Sequence, residues 1–189
     1  MKPRFFVLLA LLISVAAASV WREMNPRQSR SPLDQNTVRS APVFQLLDQK
    51  SRPIQLAGYL NRYRVLLYFF DARLGPDADP VLQQLKTAYP TLKSSGIMVF
   101  AISSPLGPDH KASAAAYPFP VLRDTQAGQP GSCSAVWGRA KANPGEMQPA
   151  VVEPAAFLIE ANGTVRWNGD FPIPVENPRT LISSLVGED

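Results

Sequence analysis

Cys133 carries the only thiol in this 189-residue chain and His110 the only imidazole, so the routes to covalent chemistry are few. Cys133 lies in GSCSAVWG, near the start of a short helical segment, where a helix N-terminus can lower a thiol's pKa and make it reactive. The same residue also reads as a small apolar side chain packed in a core, which is how free cysteines usually serve. No second cysteine exists to resolve a sulfenic acid, while a disulfide to another molecule stays open. His110 alone supports neither a histidine-based metal cluster nor a Cys-His dyad, and reads as a solvated helix-start residue. Asp71, Asp77 and Asp79 place three carboxylates close together, hard oxygen ligands for a cation. Asp79 also fits a helix cap and Asp77 an acid near a helix N-terminus, so the three are expected to be structural; no metal and no other cofactor is expected. Asn162-Gly163-Thr164 matches the glycosylation acceptor pattern, and a hairpin turn explains it equally. Trp21, Trp137 and Trp167 are too scattered to form a stacking platform and read as core or interface residues.

The elements that position these residues follow from periodicity. Val43–Leu47 and Ile54–Leu56 are short strand candidates across the polar turn Asp48–Pro53, and Gly58–Asn61 resembles one helical turn. Arg64–Phe70 contains VLLYFF, too apolar for a half-exposed strand and suited to a central one. Asp79-Pro80 then supplies a cap and a first-turn proline. Val81, Leu82, Leu85, Ala88, Tyr89 and Leu92 form a helical stripe that Gly96 closes. Ile97–Ile102 is the next buried strand, which makes strand, helix and strand a crossover unit of a parallel sheet. A helix over His110–Tyr117, a strand at Pro120–Leu122 and a helix over Ser132–Trp137 ending at Gly138 follow. Ala155–Glu160 and Thr164–Trp167 form a hairpin around Asn162-Gly163. A last helix begins at Asn177-Pro178 and buries Leu181, Ile182, Leu185 and Val186.

Composition bounds the remainder. With 46% hydrophobic and 18% charged residues the chain is globular, with one domain plus an appendage. The formal charge of +4 is carried wholly by residues 1–51, leaving a neutral domain with no basic face, and a nucleic-acid partner is not expected. Lys2 and Arg4 precede the apolar run Phe5–Ala18, with small residues at Ala16 and Ala18, which fits a cleavable secretory signal. Counted on through Trp21, the run reaches the lower limit for a membrane-spanning helix. Arg22, Arg27 and Arg30 follow it, so the orientation of an uncleaved helix stays open, with export favoured. Residues 1–21 are therefore expected to be a signal peptide or membrane anchor, 22–40 a flexible tether, and 41–189 the domain. With a single cysteine the domain must rest on its core rather than on an internal disulfide.

APVFQLLDQKSRPIQL, YRVLLYFF, IMVFAIS, PFPVLRD and EPAAFLIEANGTVRW, in that order, resemble the peroxiredoxin family, the alkyl hydroperoxide reductase and thiol-specific antioxidant group, over about residues 41–187. The resemblance implies an α/β fold, a thioredoxin-like, peroxiredoxin-type central sheet flanked by helices, here preceded by an N-terminal hydrophobic helix. It also implies a site of the form Pro-x-x-x-Thr-x-x-Cys after the central strand, with an arginine before the later strand. On this sequence the proline falls on Asp71, the threonine on Gly75, the peroxidatic cysteine on Ala78 and the arginine near Pro154, so all four are replaced. Ala78 carries no nucleophile, which excludes family-type peroxidatic chemistry at that position. In the related thioredoxin-like thiol-disulfide oxidoreductases a Cys-x-x-Cys pair would fall close to Arg73 and Pro76; the segment from Glu153 to Glu160 resembles the one carrying their cis-proline, implying a cis Pro154 facing the loop.

The expectation is a protein exported to a periplasm, lumen or extracellular space, or anchored in the membrane by its N-terminal helix. It is expected to be a redox-inactive pseudoenzyme that binds or assembles with a protein partner. The alternative is an antioxidant thiol oxidoreductase or peroxidase working through Cys133 with an external resolving thiol.

Overall fold

A strand with large apolar side chains on both faces needs neighbours at both edges and cover above and below. In the computed structural model, which describes residues 39–140 and 150–165, that strand is β4 (Arg64–Phe69). Every residue of β4 after Arg64 is buried. It pairs in parallel with β5 (Ile97–Ser103), Leu66 opposite Val99, and antiparallel with β7 (Ala155–Ile159), Leu67 opposite Phe157.

Helix α1 (Pro80–Ser94) carries the chain from β4 back to the start of β5, as its stripe requires: Val81, Leu82, Leu85, Tyr89 and Leu92 are buried. Its capping groups sit where the sequence places them, with Asp79 before Pro80, and Gly96 at φ +74° turns the chain off the helix into β5. Helix α2 (Pro108–Ala115) links β5 to the parallel β6 (Val121–Arg123) and starts at Pro108, two residues before the expected His110, because the first-turn proline nucleates it. Helix α3 (Cys133–Val136) is one turn long.

The remaining strands are β1 (Arg39–Ser40), β2 (Gln45–Leu47), β3 (Pro53–Gln55) and β8 (Thr164–Val165). The eight lie in one sheet in the order β1-β8-β7-β4-β5-β6-β2-β3. The order gives a parallel β4-α1-β5-α2-β6 core, extended by the antiparallel β7-β8 hairpin on one side and β2-β3 on the other. This is the α/β arrangement expected from the sequence.

Two further details differ from expectation. The last residues assigned to the tether are strand β1: Arg39 pairs with Val165 and Ser40 with Thr164, and Ala41 N donates to Gly163 O at 2.8 Å. A two-residue exposed strand leaves no periodic trace, and its pairing depends on chain more than a hundred residues away. The helical turn expected at Gly58–Asn61 is a 3₁₀ turn at Leu56–Gly58, drawn forward by the complete burial of Leu56.

The sheet separates two apolar layers. Leu66 and Tyr68 point with Leu82, Leu85 and Leu92 into the layer beneath α1, joined by Tyr117 and Phe119. Val65, Leu67 and Phe69 point the other way, with Phe157, Trp137 and Cys133. Among the described residues no helix is long and apolar enough to cross a membrane. The apolar N-terminal run, residues 22–38 of the tether, Trp167 and the last helix lie outside the described residues.

Candidate functional site

Strand β4 hands the chain to a polar loop at its carboxyl end. Phe70 N still donates to Ile102 O at 3.0 Å, and residues 71–78 must then turn the backbone into α1. Asp71, 9% exposed, accepts from Arg73 N at 2.9 Å and holds the guanidinium through Nε at 3.0 Å and Nη2 at 2.6 Å. The side-chain hydrogen bonds from Arg73 outweigh the opposing effect of burial and keep the Asp71 carboxyl below the usual carboxylate range. Gly75 turns at φ +75°, and a Cβ there would run into the His110 ring. The imidazole, expected to be solvated, is half-buried and packs directly on the loop.

The second half of the loop is tied down by Tyr117. Its hydroxyl donates to Pro76 O at 2.6 Å and accepts from Gln83 Nε2 at 2.8 Å, while Lys86 Nζ stands 4.6 Å from the ring centroid. Gln83 Nε2 also lies 3.2 Å from Asp77 Oδ1. Asp77 is held below the usual carboxylate range, chiefly by the Ser113 hydroxyl and further by Gln83, Lys86 and Tyr117. Asp79 closes the loop: Oδ1 accepts from Val81 N at 2.9 Å and Leu82 N at 3.0 Å, and Oδ2 accepts from the Tyr68 hydroxyl at 2.9 Å. Burial, and then the Asp79 charge, raise the Tyr68 pKa, so the phenol stays a neutral donor. The three carboxylates thus face separate partners, and among the described residues no group of three His, Cys, Asp or Glu side chains converges as a metal site would.

Asp71, Gly75, Ala78 and Pro154, which the resemblance would set against the family's catalytic residues, lie at this end of the sheet. Asp71 and Gly75 are buried, whereas Ala78 is exposed immediately before the capping Asp79. Ala155 pairs with Phe69, which brings the exposed Pro154 beside the exit of β4. Its peptide bond is trans, as are all those of the described residues, contrary to the cis form expected. The approach to β7 is already extended: Glu153 N donates to Arg139 O at 2.7 Å and Val152 bridges to Ala140, a path that a trans bond continues.

Cys133 belongs to the other layer. It is 8% exposed and packs in the cluster of Phe69, Trp137 and Phe157, on the opposite face of the sheet from α1. Burial, and then the nearby Asp124 carboxylate, push its thiol up, so at neutral pH it is protonated. Asp124 is itself engaged, accepting from Ser134 N at 2.7 Å and Ser134 Oγ at 2.6 Å. A one-turn helix and an adjacent carboxylate do not activate a desolvated sulfur.

Tyr68, Gln83 and Tyr117 were not singled out from sequence, yet they organise the loop. The signal for Tyr68 was present: it is the one hydroxyl in an otherwise hydrocarbon strand, and a buried phenol needs a partner. Tyr117 and Gln83 meet across 34 positions of sequence and leave no local trace.

The model of the AhpC/TSA family matches residues 38–168. Alkyl hydroperoxide reductase E of Mycobacterium tuberculosis is 28% identical over 134 residues, covering 70% of this chain and 83% of that protein. Chloroplastic peroxiredoxin Q of Arabidopsis thaliana is 28% identical over 138 residues, 72% of this chain and 61% of that one. Among solved structures, the peroxidoxin BcpB of M. tuberculosis superposes with a TM-score of 0.63 at 19% identity, covering 79% of this chain and 95% of that one. A putative thiol:disulfide interchange protein DsbE from Chlorobium tepidum gives a TM-score of 0.50 at 23% identity, covering 78% and 96%. The match over residues 38–168 spans well over half of the sequence, and this chain belongs to the AhpC/TSA family.

Proposed function

We propose that this protein is a peroxiredoxin-like domain that has lost thiol catalysis and serves as a binding or assembly module at a membrane, exported or held there by its N-terminal segment. The observation that carries the reading is the separation of scaffold and sulfur. Ala78 occupies the position matched to the peroxidatic cysteine, and the single thiol is buried in the opposite layer. The loop that a peroxide would enter is filled by its own contacts, the Asp71–Arg73 pair, the His110 ring on Gly75 and the Tyr117 hydroxyl on Pro76. Around these the loop presents Leu74, 58% exposed, together with Ala78, and Pro154 stands at the same end of the sheet, a surface suited to a partner protein's chain. Membrane placement rests on Lys2, Arg4 and the apolar run Phe5–Ala18.

Hydrogen peroxide consumption by the full-length protein with an excess of a dithiol reductant tests the loss of catalysis. The expected rate is that of the buffer, unchanged by Cys133→Ser. A family-like rate that disappears in C133S overturns the reading in favour of a Cys133 peroxidase. Membrane fractionation with N-terminal sequencing of the mature chain tests the placement, and recovery of an intact chain in the soluble cytoplasm removes it.

A further inference from the structure

A second concave site lies along the other parallel pair. A cleft of about 190 Å³ opens between α2 and the β5-β6 edge, where the carboxyl ends of parallel strands converge, the place where open α/β sheets bind ligands. The register assembles its rim. Ser103 stands opposite Arg123 across β5-β6, and Leu47 opposite Arg123 across β2-β6, so the turn beginning at Asp48 reaches the same edge. Leu106, Ala114 and Val121 provide apolar wall, while Lys111 and Arg123 bring positive charge.

The charge is uncompensated. Asp48, the one acidic residue lining the cleft, is spent on its own turn. It accepts from Lys50 N and Arg52 N at 2.8 Å each and pairs with the Arg52 guanidinium at 2.7 Å. Lys111 and Arg123 form no ion pair among the described residues. Arg123 Nη2 donates to Ser51 Oγ at 3.0 Å, and Arg123 Nε is buried without an acceptor. Arg123 lines the cleft without a carboxylate partner, and a planar guanidinium fork suits one. The hydrocarbon wall beside it disfavours a fully hydrated anion such as phosphate.

We propose that this cleft binds a small organic carboxylate, with the headgroup on Arg123 and Lys111 and a short hydrocarbon tail against Leu106, Ala114 and Val121. The site is separate from the Asp71–Asp79 loop and holds whether or not the chain has lost peroxidase activity.

Calorimetric titration of the detergent-solubilised full-length protein with hexanoate provides the test, with 1-hexanol, acetate and inorganic phosphate as comparison probes. Hexanoate is expected to bind saturably and more tightly than all three. Arg123→Gln is expected to weaken it by about tenfold or more, the worth of a charge-assisted hydrogen bond. Lys111→Met, at an exposed position where folding is not at stake, is expected to weaken it by about threefold. Arg123→Lys keeps the charge without the fork and should fall between parent and R123Q. The proposal is overturned if hexanoate does not saturate, if 1-hexanol or phosphate binds as tightly, or if K111M binds hexanoate like the parent.

Discussion

At the scale of single residues, one carboxylate does two jobs at the loop's end. Asp79 caps α1 with Oδ1 and satisfies the buried Tyr68 hydroxyl with Oδ2. Removing the cap alone costs about 1 kcal/mol, and leaving the phenol unpaired adds about 1–3 kcal/mol. Asp79→Ala is therefore expected to destabilise by about 2–4 kcal/mol in urea unfolding, and Tyr68→Phe by less, since Asp79 keeps both backbone donors. In Y68F/D79A the phenol no longer exists to be orphaned, so the double variant should lose less than the sum of the two. Additive losses would show that the phenol and carboxylate do not interact. Cys133 gives a chemical counterpart. With its thiol raised by burial and by Asp124, it is expected to resist a maleimide at pH 7 in the folded protein and to react fully once denatured. Rapid modification in the folded state would mean that the sulfur is accessible and ionised.

Elements add pH dependence, clearest in the turn between β2 and β3. Desolvation pushes the Asp48 carboxyl up, but the Arg52 and Lys50 amides and the Arg52 guanidinium prevail, and its pKa lies below the ordinary value. A carboxyl with a lower pKa in the folded than in the unfolded chain contributes stability above the unfolded pKa of roughly 3.9 and loses it as pH falls through the folded value. Asp48→Asn is thus expected to cost about 1 kcal/mol at pH 7, the charge-assisted part of its bonds, with the gap from the parent closing below about pH 4. A gap that does not narrow as the pH falls below about 4 would assign the loss to shape rather than charge. Legibility also divides by element. The start of α1 and strands β4 and β5 could be read because their signals are local: a cap, a proline and runs of buried hydrocarbon. Strand β1 and the trans state of Pro154 could not, because both are set by pairing partners distant in sequence, Val165 for Arg39 and Arg139 for Glu153.

For the whole molecule, the same central strands bear two cores. The alternation of β4 was hidden in the sequence, since VLLYFF is apolar on both faces, and only the structure divides Leu66 and Tyr68 from Leu67 and Phe69. The same division explains why the site was legible only in part. Asp71, Gly75 and Ala78 follow one strand directly in the sequence, whereas Pro154 joins them, and Cys133 is assigned to its layer, only in the folded sheet. Leu82, fully buried, packs in the layer beneath α1, and Phe157 lies in the other, edge-to-face with Phe69 at a ring-centroid distance of 5.9 Å and tilted against Trp137 at 4.9 Å. Leu82→Ala should cost about 2–5 kcal/mol and Phe157→Ala about 3–5 kcal/mol. Because the two side chains belong to different layers, their effects should add to within about 0.5 kcal/mol. Both layers grip β4 and β7, so far-UV circular dichroism and tryptophan fluorescence should report one coincident transition in the parent and in each variant. If L82A instead separated the two signals, the layers would unfold independently and the sheet would not be the cooperative unit that links the loop to the cysteine layer behind it.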